Sequence, residues 1–267
     1  MPYELIGAAG LTVELKQHYL RKLLNRAVPL LVHAKYGLKA PMPRRGGRSV
    51  EWRRLDTLGA TTTALTEGTP GAATQITFVN VQATIDQFGA YVQLTDLVTP
   101  QSYDPVVSEL SDTLGEQMGN SLDQVVRNVL RAGTTIQFAS TGTSRQNVGS
   151  GMRMIYAEIR EAVSTLERNN AKKFPDGRYR CIAHPDTKRD MFADSDIQNG
   201  WQNAGMRGGE NPLFTGEVGD IYGVSFVFTT NSSIIASAGL SGADVYLSLF
   251  FGQEWYGITE YESPENG

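Results

Sequence analysis

The chain has 267 residues, 40% of them hydrophobic, and carries a formal net charge of −4 with a pI near 5.5. This length fits one large domain or two ordinary ones, each with a real hydrophobic core. The acidic balance argues against a protein whose main task is to grip nucleic acid, because that task normally needs a basic face.

Cysteine usage and hydropathy indicate in which cellular compartment the protein is made. Cys181 is the only cysteine, which excludes an internal disulfide and suits a reducing environment, and its expected role is that of a small buried apolar residue. The N-terminus lacks the basic region, apolar run and cleavage site of a signal peptide, and no stretch approaches the roughly 18 apolar residues of a membrane span. We therefore expect a soluble protein that is cytoplasmic when made and has no membrane partner.

The first 40 residues predict an extended start followed by a helix that ends at Pro29, while Pro41 and Pro43 stop any regular continuation. Such an arm must cover a surface, either on its own body or on a neighbouring subunit. The helix is indicated by apolar residues at helical spacing, namely Leu11, Leu15, Tyr19, Leu20, Leu23 and Leu24.

A long hairpin is predicted next. Residues 49–55 and 75–81 alternate apolar and polar side chains as strands do. Residues 57–74 between them are rich in Thr, Ala and Gly and poor in large apolar groups, so they cannot bury much against their own domain. Two interpretations stay open at this point: a hairpin projecting towards another subunit, or a mobile surface loop.

Residues 84–99 alternate again and predict a strand that leads into a long helix over 104–132. Asp104 suits its N-cap, Pro105 its first turn, and Gly133 a left-handed C-cap. The predicted apolar stripe of this helix comprises Val106, Val107, Leu110, Leu114, Met118, Leu122, Val125, Val126 and Val129.

Two glycines interrupt the middle of that helix, at positions 115 and 119. Each weakens the helix by about 1 kcal/mol relative to alanine. Their presence therefore indicates a bend or a close backbone approach.

The remainder predicts a second amphipathic helix and then an α/β-like region. The helix carries an apolar stripe of Met154, Ile155, Ile159, Val163 and Leu166. Residues 179–183 predict a buried strand, and the sequence from His184 predicts a helix that reaches Phe192.

We expect a long mobile loop over 194–211. Residues 216–228 predict a tight turn that feeds strands, and residues 244–261 predict one or two more strands.

A search for chemistry returns no catalytic, cofactor-binding or metal-ligating set. The three histidines, His18, His33 and His184, lie in unrelated segments with no partner at metal-ligand spacing. Asp194 and Asp196 have the right chemistry for a cation, but a solvated loop is the favoured interpretation of both. No phosphate-binding glycine loop or nucleophile elbow is present, which favours a protein whose function is assembly.

The order of parts resembles the major capsid proteins of tailed phages with the Hong Kong 97 fold, and most closely the podovirus family of N-four-like major coat proteins. The likeness rests on residues 34–58, 84–131 and 216–231, and its most specific piece is Gly-Glu-Val-Gly-x-Ile-x-Gly-Val over 216–224. Relatives usually continue beyond the strand near Tyr261, so this chain, which ends at Gly267, is expected to be a shorter or a truncated member.

The resemblance implies an α+β fold in four parts. Residues 1–45 would form the N-terminal arm and 46–83 the E-loop hairpin. Residues 84–175 would form the peripheral domain, with its spine helix at 104–132. Residues 176–267 would form the axial domain and the return strands.

The resemblance also implies the function of a structural, non-enzymatic subunit without a cofactor. Pentamers and hexamers of the chain would build an icosahedral shell around double-stranded DNA, which it would contact non-specifically. Scaffolding, portal and decoration proteins are the other expected partners. The shell would be assembled in the host cytoplasm and found in the virion. The alternatives are an encapsulin-type nanocompartment shell and, from another class, an α/β enzyme built on residues 176–267.

The distribution of lysine bears on how such a shell is closed. Some shells of this fold carry isopeptide bonds between a hairpin lysine and an asparagine of a neighbour. Here no lysine occurs between Ala40 and Ala171, and the hairpin's positive charges are all arginine. A guanidinium stays protonated and cannot act as the amine nucleophile, so we expect non-covalent closure.

Overall fold

A computed structural model describes residues 23, 26–27, 30–42, 47–55, 58–62, 64, 67–68, 71, 73, 75–93, 106–140, 142–205 and 220–261. The chain divides into two compact units. The first contains residues 1–37 and 89–256, and the second contains residues 38–88 and 257–267.

The second unit holds two pairs of strands. Strand β1 (Leu38–Met42) pairs in parallel with the last strand of the chain, Gly257–Tyr261. Strands β2 (Ser49–Leu55) and β3 (Phe78–Thr84) form an antiparallel ladder, so the predicted hairpin is confirmed.

The first unit is built on helix α1 (Val106–Leu130), which confirms the long helix predicted over 104–132. The predicted caps Asp104 and Pro105 lie outside the described residues. The predicted C-cap is wrong, because the helix ends three residues before Gly133 and the φ angle of Gly133 is not positive. Its N–H instead donates to Leu130 O in a turn that follows the helix.

The predicted apolar stripe of α1 needs correction at two positions. Met118 and Val129 are exposed, and Val129 keeps 70% of its surface. Half-buried members of the stripe do exist, such as Leu122 and Val126. The most buried line on α1 consists instead of small and polar residues followed by one leucine, namely Ser111, Gly115, Gly119, Asp123 and Leu130.

A four-stranded mixed sheet forms the centre of the α/β-like region, in the order β5-β6-β4-β9. Its strands are β4 (Tyr179–Ala183), β5 (Asp220–Ile221), β6 (Val224–Phe228) and β9 (Leu249–Phe251). The central strand β4 runs parallel to β6 and antiparallel to β9. Its burial confirms the predicted core strand.

Helix α2 (Tyr156–Arg168) packs on this sheet through Ile159 and Val163, as its amphipathic pattern predicts. Because side chains alternate along a strand, Cys181 points to the same face of β4 as its second neighbours and is fully buried there. Its predicted role as a small buried residue is confirmed, and burial raises the pKa of its thiol well above the ordinary value.

Helix α3 (Pro185–Phe192) follows β4 and confirms the helix predicted from His184 to Phe192. Helix α4 (Ser195–Gly205) comes next and overturns the described part of the loop predicted over 194–211, while residues 206–211 lie outside the described residues. Asp194 accepts a hydrogen bond from the Asp196 N–H at 3.1 Å, and Ile197 is buried in the core. The glycines of this segment suggested a loop. Burial of Ile197 and capping by the Asp194 carboxylate stabilise a helix instead.

The turn predicted within 216–228 is confirmed for its described part. Residues 222 and 223 connect β5 to β6 with φ angles of 51° and 74°. Glycine at the second position adopts this left-handed conformation at no steric cost. Residues 216–219, the first part of the most specific piece of the resemblance (216–224), lie outside the described residues.

The C-terminal part contains more strands than expected. Besides β9, residues 244–261 form β8 (Val245–Tyr246), which pairs with β7 (Ile234–Ile235), and β10 (Gly257–Tyr261). One or two strands were predicted there, and three are present.

The strand predicted over 84–99 is not observed in its described part. Residues 85–93 have no regular secondary structure, and Phe88 and Tyr91 are exposed. Strand β3 ends at Thr84, and no other strand pairs with the described residues after it. The alternation of apolar and polar side chains was therefore not enough to predict a strand, because a strand also needs a neighbouring strand with which to form hydrogen bonds.

Candidate functional site

The hairpin of β2 and β3 leaves most of its side chains in solvent. Leu55 pairs with Phe78 at the far end of the ladder, and both keep about 60% of their surface exposed, at 62% and 61%. Val79 and Val81 on the other face of β3 are exposed as well. A two-stranded ribbon with apolar groups exposed on both faces is marginal in water, so these groups favour a partner surface.

The base of this hairpin is held firmly. The Arg48 guanidinium donates to Ile85 O at 3.0 Å and forms an ion pair with Asp86. Trp52 lies against Gly257, where an added Cβ would approach the indole ring to 2.8 Å. Glycine at 257 is therefore what allows β10 to pass beside this ring.

The segment that joins the two strands is open in structure as well as in composition. Every described residue from 58 to 77 is exposed, including Leu58 and Ile76. Its low content of large apolar groups is the reason that it has nothing to pack against within one chain. The sequence-based expectation of a poorly packed connection is confirmed for these residues.

A second feature is a polar junction inside the first unit, defined here as His33, Asp123, Asn231 and Tyr256. The Asp123 carboxylate accepts the His33 backbone N–H at 2.7 Å and lies 2.8 Å from His33 Nδ1. The Asn231 amide donates to the same carboxylate at 3.3 Å, and the Tyr256 hydroxyl donates to His33 O. Both His33 and Asp123 are fully buried.

The junction extends along α1 to the turn around residue 231. Asn231 Nδ2 also donates to Asn120 Oδ1 at 3.1 Å, and Arg127 Nη1 donates to Asn231 O at 2.9 Å. The parts of the sequence around residues 33, 123 and 231 therefore meet, and they do so on one face of α1. Because a buried carboxylate is costly unless it is hydrogen-bonded, this network specifies one arrangement of those parts.

Beside the junction, the N-terminal segment runs close to α1. A Cβ placed on Gly115 would lie 2.7 Å from Leu23 O, and one on Gly119 would lie 2.7 Å from Ala27 O. The close backbone approach that the two glycines suggested is confirmed. For this part of the predicted arm, the surface that it covers belongs to its own chain.

Burial changes the acidity of one member of the junction. Removal from water raises the pKa of Tyr256 above its ordinary value, since the phenolate would be poorly solvated. At the surface, Tyr246 donates to Asp186 Oδ2 at 2.9 Å, and this bond to a carboxylate raises the pKa of Tyr246.

The described residues that the sequence search considered as metal ligands, His33, His184 and Asp194, make hydrogen bonds that hold parts of the fold together. His33 belongs to the junction, and His184 caps α3 by accepting the Asp186 N–H at 3.1 Å. Asp194 also accepts the Tyr156 N–H at 2.6 Å, so it joins the starts of α2 and α4. His18 lies outside the described residues.

Among the described residues, no group of three or more His, Cys, Asp or Glu side chains could hold a metal ion. None of the described helices is long and apolar enough to cross a membrane.

Sequence reasoning missed Asp123 and Asn231. The available signal was the spacing of Ser111, Gly115, Gly119 and Asp123, which follow one another every four residues along α1. A line of small and polar residues at helical spacing can be a buried face when another backbone lies directly on it.

Comparison with known proteins identifies the class. The fold is similar to that in the capsid of the cyanophage P-SCSP1u, with a TM-score of 0.65 and 16% identity over 86% of this chain and 75% of that chain. It is similar to the capsid of Ralstonia phage GP4, with a TM-score of 0.63 and 15% identity over 84% and 73%. The mature capsid of bacteriophage PhiM1 follows, with a TM-score of 0.52 and 13% identity over 76% and 64%. These likenesses show an α+β capsid fold.

The family follows from the sequence itself. A family model described as phage capsid protein matches residues 77–264, well over half of the chain. The chain belongs to the phage capsid protein family and is a structural major capsid protein of the virion. A search of curated proteins gives no significant match. The encapsulin interpretation receives no support from the family match or from these likenesses.

Proposed function

We propose that this capsid protein forms the icosahedral shell of a tailed phage in the Hong Kong 97 arrangement. Pentamers and hexamers of the chain enclose double-stranded DNA, which they contact non-specifically. The chain acts without catalysis or a cofactor, and assembly takes place in the host cytoplasm. A scaffolding protein, a portal and a decoration protein are its proposed partners.

The proposed division of labour follows the sequence-based boundaries. Residues 1–45 form the arm, 46–83 the E-loop hairpin, 84–175 the peripheral domain and 176–267 the axial domain. In such a shell the axial domains meet at the vertices, and the arm and the hairpin reach over neighbours. Extended elements suit this task because they bury surface on a neighbour without requiring one rigid angle.

The observation that carries the proposal is the exposed apolar surface of the hairpin. A ribbon anchored at its base by Arg48 and Trp52, with Phe78 and Val81 in solvent, is placed to bury those groups on another subunit. Closed shells need such repeated contacts between different surface patches. Each fully buried side chain of this size contributes about 1.5 to 3 kcal/mol.

Electron microscopy and sedimentation of the expressed chain test the proposal. We expect particles of megadalton mass, and a chain that remains a monomer or small oligomer under all assembly conditions would contradict it. Hydrogen exchange provides a second readout. Residues 58–77 should exchange rapidly in free subunits and become protected in particles.

A pair of matched double variants tests the hairpin itself. Val79→Ser/Val81→Ser removes exposed apolar groups from one face of β3, and we expect folded subunits that no longer form particles. Asn80→Ser/Gln82→Ser changes the other face of the same strand and should leave assembly intact. Equal assembly of both variants would show that the apolar face is not an interface.

A further inference from the structure

Helix α3 begins with an uncommon kind of cap. Side chains of Ser, Thr, Asp and Asn are the favoured N-caps, because their oxygens accept a backbone N–H of the first turn. Here the N-cap is His184, whose ring nitrogen Nδ1 accepts the Asp186 N–H at 3.1 Å. Its backbone is extended and Pro185 occupies the first helical position, as at an ordinary helix N-terminus. The capping atom is therefore one that can also take up a proton.

This cap requires one protonation state of the ring. Nδ1 of His184 accepts the Asp186 N–H only while it keeps its lone pair, so the capping form is the neutral imidazole with its hydrogen on Nε2. Protonation places a hydrogen on Nδ1 and turns that atom into a donor, which leaves the Asp186 N–H facing a donor. The side chain of His184 is 15% exposed, so solvent protons reach it. Imidazole changes its charge within the range of about pH 5 to about pH 8.

An acceptor for the protonated ring is already in place. Oδ2 of the Asp186 carboxylate lies 3.1 Å from the same Nδ1 of His184. This oxygen also accepts the Tyr246 hydroxyl at 2.9 Å, and the Tyr246 ring lies beside the imidazole with 5.3 Å between the ring centres. In the protonated form one carboxylate oxygen is shared between two donors, and the charged donor is the stronger of the two. The bond from Tyr246 is therefore weakened when the ring gains its proton.

Charged groups surround this cluster from two elements, α3 and β8. Two of them act on Tyr246 with opposite effects, namely Asp244, which directly precedes β8, and Arg189, which lies one turn beyond Asp186 on α3. The ammonium group of Lys188, also on α3, lies over two phenylalanine rings. Within the described part of the chain, the carboxylate that pairs with the imidazole is thus that of Asp186.

We propose that His184 is a proton-sensitive cap with two hydrogen-bond arrangements. In its neutral form Nδ1 accepts the Asp186 N–H and caps α3. In its charged form Nδ1 donates to the Asp186 carboxylate, and the first turn of α3 loosens together with the bond from Tyr246. The change bears on the core, because α3 directly follows the central strand β4 and buries Met191 there. Acidification thus loosens one part of the α/β-like region, and this inference does not depend on the proposed shell function.

Hydrogen exchange resolved to single residues tests the cap in the full chain. After correction for the intrinsic exchange rate, protection of the Asp186 amide should fall at least about fivefold from about pH 7.5 to about pH 5.5. His184→Asn keeps a cap that does not titrate in this range, so its Asp186 amide should change by less than about twofold. His184→Ala has no cap and should show low protection at both pH values. The His184→Asn comparison is decisive even if His184→Ala does not fold.

The change of partner at the Asp186 carboxylate has its own readout. Tyr246→Phe removes the competing hydroxyl, so the charged ring forms more readily and the midpoint of the Asp186 transition should move to higher pH. Tyr91→Phe, at an exposed position, is the control and should leave the midpoint unchanged. The proposal is overturned if wild-type protection is the same at both pH values or if His184→Asn shows the wild-type fall. A midpoint that stays or moves down in Tyr246→Phe overturns it as well.

Discussion

His33 and Asp123 form a fully buried pair in which the Asp123 carboxylate accepts a hydrogen bond from the His33 backbone N–H at 2.7 Å and lies 2.8 Å from the ring nitrogen Nδ1. Ninety positions separate the two residues in the sequence. The pair therefore fixes the segment around residue 33 to the middle of α1, and Asn231 and Tyr256 add further hydrogen bonds to it.

Removal of this carboxylate should destabilise the subunit strongly. Asp123→Ala leaves the buried backbone N–H of His33 without its acceptor and removes one of the two hydrogen bonds of the Asn231 amide, so we expect a loss of about 3 kcal/mol in the free energy of unfolding. Denaturant unfolding of free subunits measures it. Glu161→Ala on the exposed face of α2 is the control and should change stability by less than about 0.5 kcal/mol. A similar small effect at Asp123 would mean that the network contributes nothing to stability.

The two glycines of α1 should resist substitution by a better helix former. Gly119→Ala puts a Cβ against the Ala27 carbonyl oxygen, so we expect destabilisation by about 1 to 3 kcal/mol in spite of the gain in helix propensity. Gly200→Ala in α4 is the matched control, because nothing lies within 4 Å of its added Cβ. That variant should be unchanged or more stable by up to about 1 kcal/mol. Thermal melting that ranks the two variants in the opposite order would contradict the close approach.

Alkaline pH should weaken the subunit through Tyr256. Its pKa is raised in the folded state by burial, so the folded chain keeps a proton that the unfolded chain loses above its ordinary pKa of about 10. The associated stability is present below that value and is lost as the pH rises beyond it. Tyr256→Phe should lose about 1 kcal/mol at pH 8 with its hydrogen bond to His33 O, yet decline less steeply between about pH 9 and about pH 11. Tyr91→Phe, at a position that is 83% exposed, should follow the wild-type slope.

Mature particles should dissociate into single chains under denaturing conditions. The hairpin carries no lysine, so denaturing electrophoresis should show one band near 29.2 kDa. A ladder of dimers to hexamers that survives boiling in detergent and reductant would contradict non-covalent closure. It would place the nucleophile on a lysine outside the hairpin, namely Lys16, Lys22, Lys35, Lys39, Lys172, Lys173 or Lys188.

Local patterns in the sequence determined the elements that depend on neighbours a few positions away. The existence of α1 and α2, the ladder of β2 and β3, the buried strand at 179–183 and the helix that begins after His184 all follow from periodicity and capping. The open connection over 58–77 follows from its lack of large apolar groups. The absence of lysine from the hairpin is likewise a property of the sequence alone.

Only the tertiary structure decided which face of α1 is buried and what it meets. The apolar spacing pointed to Met118 and Val129, yet the buried line runs through Gly119 and Asp123, because the backbone near Ala27 lies directly on it. No local pattern in the sequence predicts that a histidine ninety positions away pairs with Asp123. Helix α4 was missed for the same reason: its stability comes from Ile197 in a distant core, and that long-range burial outweighs the glycines in its own sequence.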